Sequence, residues 1–191
     1  MCGRFTLKEV KQVKETFGVT VAASFNIAPS QEVLTLNEIG EPVFRKWLFS
    51  PIWYRGHMKL INARIETLSE KPAFQGVSRC VFVADGWYEW SRLNKGKRPY
   101  YHYSEENLIF FAGIYNETSG CAIVTCQSAE NISFVHHRQP VLLHEAEIEN
   151  WMANNHKWNS NFSQDIKFHR VSRAINNPKH DEPENIDEVA D

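Results

Sequence analysis

CVFVADGWYEW, residues 80–90, is the stretch that decides the fold class of this chain. Residues 80–84 form an uninterrupted apolar run of β-branched and aromatic side chains, which predicts a buried strand. The dipeptide Asp85-Gly86 is a tight-turn signal, and residues 87–92 predict a second strand directly after it. Two short strands joined this closely indicate a chain built mainly from sheet.

The sequence on either side repeats this pattern of short strands. Further strands are predicted over residues 33–36, 43–49, 99–103, 108–115, 121–125 and 166–171, with a turn at residues 94–97. Helical spacing of apolar residues predicts helices over residues 8–17 and 145–154, and residues 69–75 predict a helical turn. Because strands outnumber helices and follow one another through short turns, we expect an α+β fold with a mostly antiparallel sheet or small barrel.

Length and composition favour a single domain. The chain has 191 residues, 42% of them hydrophobic, which is enough for one core and short for two. We predict one domain over residues 1–179 and a disordered tail over residues 180–191, which holds six acids and no lysine or arginine. Without the tail, 21 basic and 17 acidic residues give a net charge of +4, compatible with nucleic-acid binding or with an ordinary soluble surface.

Nothing in the sequence predicts a membrane segment. The chain lacks a run of about 18 apolar residues, and its amino terminus lacks an apolar signal region. We therefore expect a cytoplasmic protein, associated with the nucleoid when bound to DNA, that acts as a monomer and has no membrane partner.

Cys2 differs from the other three cysteines of the chain. Cys80, Cys121 and Cys126 lie in apolar runs and are expected to be buried strand thiols. The sequence has no C-x-x-C or H-x-x-x-H pair, so a zinc site is not expected. No apolar run surrounds Cys2, which leaves it either an accidental terminal cysteine or a reactive one.

Removal of Met1 would give Cys2 two nucleophiles on adjacent carbons. The free α-amine has an ordinary pKa of about 7.7–8.0 and the thiol one of about 8.5, so both are partly nucleophilic near neutral pH. An amine condenses with an aldehyde to a Schiff base, and the neighbouring thiol can then close a five-membered thiazolidine ring. A serine could not form that ring, and an internal cysteine lacks the amine.

Two polar clusters in the sequence could hold a phosphate or move a proton. In residues 60–67, Asn62 can donate and accept hydrogen bonds and Arg64 can bind phosphate, or both can form a strand-end network with Glu66. In residues 135–140, His136 can shuttle protons and Arg138 can contact phosphate, or both can belong to an ordinary surface.

Glu89 is a third candidate, because aromatic residues flank it. Alternation along the strand puts Trp87 and Glu89 on one face and Tyr88 and Trp90 on the other. Desolvation there would raise the pKa of the carboxyl group, which suits a general acid–base near neutral pH. Tryptophan can also stack on the bases of a single strand. The alternative is a solvated glutamate beside core aromatic residues.

Six motifs stand in a set order along the chain. They are Met1-Cys2-Gly3-Arg4-Phe5, Phe25-Asn26-Ile27-Ala28-Pro29, Asn62-Ala63-Arg64-Ile65-Glu66-Thr67, Gly86-Trp87-Tyr88-Glu89-Trp90, His136-His137-Arg138-Gln139-Pro140 and Val171-Ser172-Arg173. In these motifs and their order the chain resembles the SRAP (SOS response-associated peptidase) family, which includes abasic-site processing proteins of bacteria and animals. The resemblance extends from Cys2 to about Asn177.

The resemblance implies a function in DNA repair. Similar proteins crosslink to abasic sites in single-stranded DNA through a thiazolidine, which protects the strand and needs no metal or organic cofactor. By that similarity Cys2 is the nucleophile and Glu89 the general acid–base. Asn62 positions the terminal amine and the sugar, and His136 assists proton transfer.

The resemblance also implies DNA contacts and a fold. The expected DNA-binding residues are Arg4, Arg64 and Arg138 on phosphates, with Trp53 and Trp90 packed against the strand. The expected fold is a bifurcated, mostly antiparallel sheet with a small closed β-barrel and peripheral helices. Leu48 departs from the family, which has glycine there, and that puts the local chain path in question.

Three other functions are compatible with the same residues. One is a cysteine peptidase with an amino-terminal nucleophile that acts mainly on its own initiator methionine, using Cys2, His136 and Glu89. Another is a module that binds single-stranded DNA or RNA without chemistry. The third is a structural role, which predicts no DNA binding at low salt.

Overall fold

The computed structural model describes residues 2–51, 53–54, 58–91, 96–105, 108–154 and 165–190. Predictions that concern Met1, Arg92 and the first half of the turn at residues 94–97 lie outside the described residues. In the described part of the chain, no helix is long and apolar enough to cross a membrane.

Strands dominate the described residues. The strands are β1 (Arg4–Leu7), β2 (Ser24–Ile27), β3 (Glu32–Leu36), β4 (Pro42–Lys46), β5 (Asn62–Arg64), β6 (Ser78–Ala84), β7 (Gly86–Ser91), β8 (Arg98–Tyr103), β9 (Ile109–Asn116), β10 (Gly120–Gln127), β11 (Arg138–Pro140), β12 (Leu142–Leu143) and β13 (Lys167–Arg170). The helices are α1 (Val10–Phe17) and α2 (Glu145–Met152), with single 3-10 turns at Ile65–Thr67, Pro72–Phe74, Glu130–Ile132, Arg173–Asn176 and Pro183–Ile186. This content confirms the predicted α+β class.

The strands form two sheets. A five-stranded sheet has the order β13-β8-β7-β1-β2, and an eight-stranded sheet has the order β11-β10-β9-β6-β3-β4, with β12 paired to β9 and β5 paired to β10. The pairing of β5 with β10 is parallel, while the other pairs of named strands in the described residues are antiparallel. The mostly antiparallel sheet that we predicted is thereby confirmed.

The expected closed barrel is not confirmed. Among the described residues, the pairing of the five-stranded sheet ends at β13 and β2, and that of the eight-stranded sheet ends at β11 and β4. A barrel requires its first and last strands to pair. The described strands therefore form two open sheets packed around a common core.

Aromatic side chains fill the core. Phe5 of β1 contacts Trp47 at a ring-centroid distance of 5.2 Å and Phe82 of β6 at 6.3 Å. The pair with Phe82 is edge-to-face, and such packing adds to the free energy gained by burying the rings. The indole N–H of Trp47 donates to the carbonyl oxygen of Ile61 at 2.9 Å. Trp47 thus ties β1, β6 and the segment before β5 together.

Leu48, which stands where the family has glycine, does not disturb the local path of the chain. Among the described residues other than glycine, positive φ angles occur at Ser30 and Asn154. Leu48 therefore adopts a backbone conformation open to any residue, and its N–H donates to the carbonyl oxygen of Lys46 at 2.8 Å. No glycine conformation is needed at this position.

The dipeptide Asp85-Gly86 is not the turn of a hairpin, contrary to the expectation from its sequence. The chain passes there from β6 in one sheet to β7 in the other. The carboxylate of Asp85 accepts hydrogen bonds from Thr6 Oγ1 at 2.5 Å and from the N–H of Glu9 at 2.9 Å, so it fixes the start of α1. A Cβ atom on Gly86 would lie 2.2 Å from the Tyr101 hydroxyl, which explains the glycine.

The acidic tail has defined contacts where we expected disorder. Asp181 accepts hydrogen bonds from Ser24 Oγ at 2.8 Å and from the N–H of Phe25 at 2.5 Å. Asn185 is fully buried, and the N–H of Val189 donates to the carbonyl oxygen of Arg170 at 2.9 Å. The acid Asp181 thus finds its partners on β2, and the tail reaches β13 through the backbone of Val189.

Candidate functional site

Cys2 lies two residues before the start of β1, which pairs with β7 and β2 in the five-stranded sheet. Its side chain is fully buried in the main core. Burial raises the pKa of the Cys2 thiol well above its usual range, and the negative charge of Glu89 raises it further, while the charge of the amino terminus opposes both effects in part. The thiol hydrogen-bonds to the carbonyl oxygen of Arg4 at 3.7 Å. The expectation of a partly ionised thiol near neutral pH is therefore wrong for this environment.

Glu89 has the raised pKa that we predicted. It lies on β7, between β1 and β8, with its side chain 4% exposed. Burial raises the pKa of Glu89 to about 7, although the positive charge of the amino terminus opposes this effect in part. Both protonation states of Glu89 are thus populated at neutral pH, as a group that gives and takes protons requires.

Asn62 links Cys2 to the eight-stranded sheet. Asn62 Nδ2 donates to the carbonyl oxygen of Cys2 at 2.9 Å. The parallel pairing of β5 with β10 holds Asn62 opposite Ile123. Asn62 Oδ1 is buried and accepts no hydrogen bond from the described part of the chain. A buried carbonyl oxygen without a hydrogen-bond donor destabilises the fold. Asn62 Oδ1 is therefore suited to accept a hydrogen bond from an N–H or O–H group of a bound molecule.

His136 lies at the end of the eight-stranded sheet that also carries Asn62. Ser128, just after β10, donates from Oγ to the carbonyl oxygen of His136 at 2.6 Å. His136 Nδ1 accepts from the N–H of Arg138 at 3.0 Å, and its ring stacks on that of His137 at 4.5 Å. Nδ1 also lies 3.2 Å from the carbonyl oxygen of Arg138, so the backbone of Arg138 holds the ring in place.

Arg138 is engaged in an ion pair rather than open to solvent. Its side chain is 9% exposed, and its guanidinium donates to both carboxylate oxygens of Glu66, at 2.6 and 2.9 Å. A further bond reaches the carbonyl oxygen of Thr125 at 2.6 Å. The hydrogen bonding of Arg138 to the Glu66 carboxylate lowers the pKa of Glu66. A phosphate contact by Arg138, which the resemblance implied, would have to break this bridge.

Arg64 is the exposed member of the same region. We expect Arg64→Gln to weaken single-stranded DNA binding a few-fold and to reduce the slope of log affinity against log salt by about 0.7, the loss of one phosphate contact. Its melting temperature should match that of the wild type, because the side chain is exposed. Fluorescence anisotropy over a salt series measures the slope, and an unchanged slope would remove Arg64 from the DNA contacts.

Arg138→Gln is expected to behave in the opposite way. Loss of its buried hydrogen bonds to Glu66 and Thr125 should lower the free energy of unfolding by about 1–3 kcal/mol, moderated because the Glu66 side chain is 48% exposed. The slope of affinity against salt should stay close to that of the wild type. A stable Arg138→Gln protein with a reduced salt slope would instead support a phosphate contact.

Arg4 and Trp90 lie on the other face of the five-stranded sheet. Arg4 is opposite Tyr88 in the register of β1 and β7, which places it away from the face of Glu89. Arg4 Nη1 donates to Asn26 Oδ1 at 2.8 Å and to the carbonyl oxygen of Ile175 at 2.7 Å. Arg4 thus holds the carboxy-terminal segment, a role that sequence reasoning missed.

The two tryptophans predicted to contact DNA differ in exposure. Trp90 is half-buried, and its indole N–H donates to Asn176 Oδ1 at 2.8 Å. Trp53 is 58% exposed, with its N–H directed to the carbonyl oxygen of Pro72 at 3.2 Å and its ring edge-on to Tyr54 at 5.8 Å. Trp53 therefore offers an open ring face for stacking.

Tyr100 is a neighbour of the site that sequence reasoning missed. It lies opposite Glu89 in the register of β7 and β8, so the two side chains share a face and their Cβ atoms lie roughly 5 Å apart. Its ring packs edge-on against Phe134 at 5.8 Å. The predicted turn at residues 94–97 did not give this pairing, because a hairpin centred there pairs Glu89 with His102, whereas the structure pairs Glu89 with Tyr100.

Burial of Glu89 is expected to reduce stability at high pH. The folded-state pKa of about 7 exceeds the ordinary value of 4.5, so stability falls as the pH rises through this window, where only the folded protein keeps the proton. Above this pH window, the free energy of unfolding is lower by about 3 kcal/mol. Glu89→Gln should therefore unfold at higher urea concentration than wild type at about pH 8 and at equal concentration at about pH 4. Equal stability at both would contradict the raised pKa.

Comparison with known proteins gives consistent matches over the chain. A family model described as SOS response associated peptidase (SRAP) matches residues 1–178. Abasic site processing protein YoqW of Bacillus subtilis is 34% identical, over 98% of this chain and 99% of that protein. Abasic site processing protein YedK of Escherichia coli is 29% identical, over 99% and 100%. A crystal structure from Bacteroides thetaiotaomicron has a TM-score of 0.80 at 19% identity, covering 99% and 100% of the chains, which shows a shared fold.

Proposed function

This chain belongs to the SRAP family, and from that premise we propose that it forms a covalent bond between Cys2 and the aldehyde of an abasic site in single-stranded DNA. The crosslink would protect the strand during repair. The observation that carries the proposal is the meeting of Cys2 with Asn62, at 2.9 Å, and with Glu89, whose charge acts on the thiol. The names of the relatives support abasic sites as the substrate.

The reaction begins at the α-amine that removal of Met1 exposes on Cys2. The amine adds to the aldehyde carbon of the ring-opened sugar, and the resulting hydroxyl leaves as water after Glu89 gives it a proton. This forms an iminium ion. A carboxyl group with a pKa of about 7 can donate this proton at neutral pH.

The thiol closes the ring in a second step. Burial keeps the Cys2 thiol neutral, so the amine reacts first and the thiol adds afterwards to the iminium carbon. The thiol proton passes to the Glu89 carboxylate, which restores the acid form. One water is released overall, and the iminium, which would otherwise promote strand cleavage by elimination, is consumed.

Asn62 and His136 have supporting roles in this proposal. Asn62 Nδ2 holds the Cys2 carbonyl. Its Oδ1, which has no donor among the described residues, accepts a hydrogen bond from the terminal amine or from a sugar hydroxyl. His136 assists proton transfer at the opened sugar. Exposed Arg64 and Trp53 bind the strand by charge and by stacking.

The experiment that tests the function is a denaturing gel. Purified protein is mixed with a single-stranded oligonucleotide that carries one abasic site, with a tetrahydrofuran analogue that lacks the aldehyde, and with undamaged DNA. The proposal predicts a slow band that resists SDS with the abasic strand alone. If that band is absent while intact mass shows that Met1 is removed, crosslinking is not the function.

A further inference from the structure

A pocket lined by arginines lies at the end of the five-stranded sheet where β8 begins and β13 ends, and Cys2 is not among its lining residues. Its volume is about 420 Å³, and Arg98 of β8, Arg170 of β13 and Arg173 contribute to its lining. Backbone of the tail closes one side, where Arg170 Nη2 donates to the carbonyl oxygen of Ala190. We call these residues the arginine pocket.

The arginine pocket adjoins Trp90. Pro99, which lines the pocket, lies opposite Trp90 in the register of β7 and β8. Val171 lines the pocket as well and belongs to the apolar cluster against which Trp90 packs. The arginine pocket and the half-buried side chain of Trp90 are therefore neighbours on the protein surface.

The charge of the arginine pocket is of one sign. Three arginines line it, and none of its described lining residues carries a carboxylate. A guanidinium fork matches the geometry of phosphate oxygens, and phosphate contacts position a nucleic acid without reading its sequence. The volume admits a phosphate together with part of its sugar.

We propose that the arginine pocket binds a backbone phosphate of the same single strand that carries the abasic site, an inference that rests on the proposed function. The strand then runs from the lesion at Glu89 to a flanking phosphate in the arginine pocket, beside Trp90. The pocket adds affinity for longer strands and takes no part in the covalent step.

The test uses Arg98→Gln combined with Arg173→Gln, which leaves the tail contact of Arg170 in place. Lys11→Gln combined with Lys14→Gln is the matched control, because both lysines are exposed on α1 and neither lines the pocket. Anisotropy measures affinity over a salt series for a strand of about 20 nucleotides carrying the tetrahydrofuran analogue, and for one of about 5 nucleotides. Denaturing gels follow crosslinking of a short strand with a true abasic site.

The two arms separate failure of the pocket from failure of the proposed function. The arginine variant should lose about tenfold in affinity for the long strand near physiological salt, with a salt slope smaller by about 1.4, the value for two phosphate contacts. Its affinity for the short strand and its crosslinking should match the control. Long-strand binding equal to that of the lysine control would overturn the pocket, as would an equal loss on both strands. Absence of crosslinking by the wild type would instead count against the proposed function.

Discussion

Cys2→Ala is expected to reduce the SDS-resistant complex with abasic DNA below detection. The variant keeps an α-amine after removal of Met1, so it can still form a Schiff base, but it has no thiol at that position to close the ring. The Schiff base hydrolyses on denaturation or leads to strand cleavage. Borohydride, which reduces a Schiff base to a stable amine, should therefore restore a covalent band in Cys2→Ala, and cleaved strand should accumulate without it.

The chain carries its own control for this prediction. Cys80, Cys121 and Cys126 remain in the variant, and all three are buried thiols, so attack by any of them would preserve the complex. A second control blocks the amine and keeps the thiol, by an amino-terminal extension ahead of Cys2. It should form no complex even with borohydride. Without borohydride, a complex of normal yield from either Cys2→Ala or the extended protein would show that Cys2 is not the point of attachment.

Glu89→Gln is expected to slow crosslink formation by about 10²- to 10⁴-fold, the usual contribution of a general acid–base. Glutamine keeps the shape of the side chain but neither gives nor takes a proton at neutral pH. The loss should appear in the rate of formation and not in affinity for the tetrahydrofuran analogue. Because the same variant should be the more stable protein at about pH 8, unfolding could not explain the lower rate.

The pH profile gives a separate test of Glu89. Its acid form is lost as the pH rises through about 7, while the fraction of free amine rises toward an ordinary pKa of about 7.7–8.0. The rate of the wild type should therefore follow a bell-shaped profile. It rises at low pH as the amine loses its proton, and it falls above neutral pH as Glu89 loses its proton. Glu89→Gln should follow the amine alone and rise with pH. A bell of unchanged shape in the variant would assign the proton transfer to another group.

The alternation of side chains on β7 could be predicted from the sequence, but the burial of both faces of this strand could not. Period-2 spacing placed Glu89 with Trp87 and foretold a desolvated carboxyl group, which its raised pKa confirms. The sequence did not show that Tyr88 on the other face would be fully buried too. That burial depends on the segment around Ile175, which packs on Tyr88 from the far end of the chain.

Contacts between distant residues explain the remaining differences. The resemblance implied a phosphate contact for Arg138, and the sequence did not show that Glu66, 72 residues away, would pair with its guanidinium. The state of the Cys2 thiol likewise depends on the two sheets that enclose it. Short strands such as β11 and β12 also escaped prediction, because two or three residues carry too little periodicity.

The intact mass of the covalent complex, followed by peptide mapping, tests the central claim most directly. The account predicts the mass of the chain without Met1 plus that of the strand, less one water, with the strand attached at Cys2. Treatment with borohydride should add no hydrogen, and the Cys2 thiol should resist alkylation after denaturation. A complex that retains Met1, is attached at another residue or gains two hydrogens with borohydride would contradict a thiazolidine at Cys2.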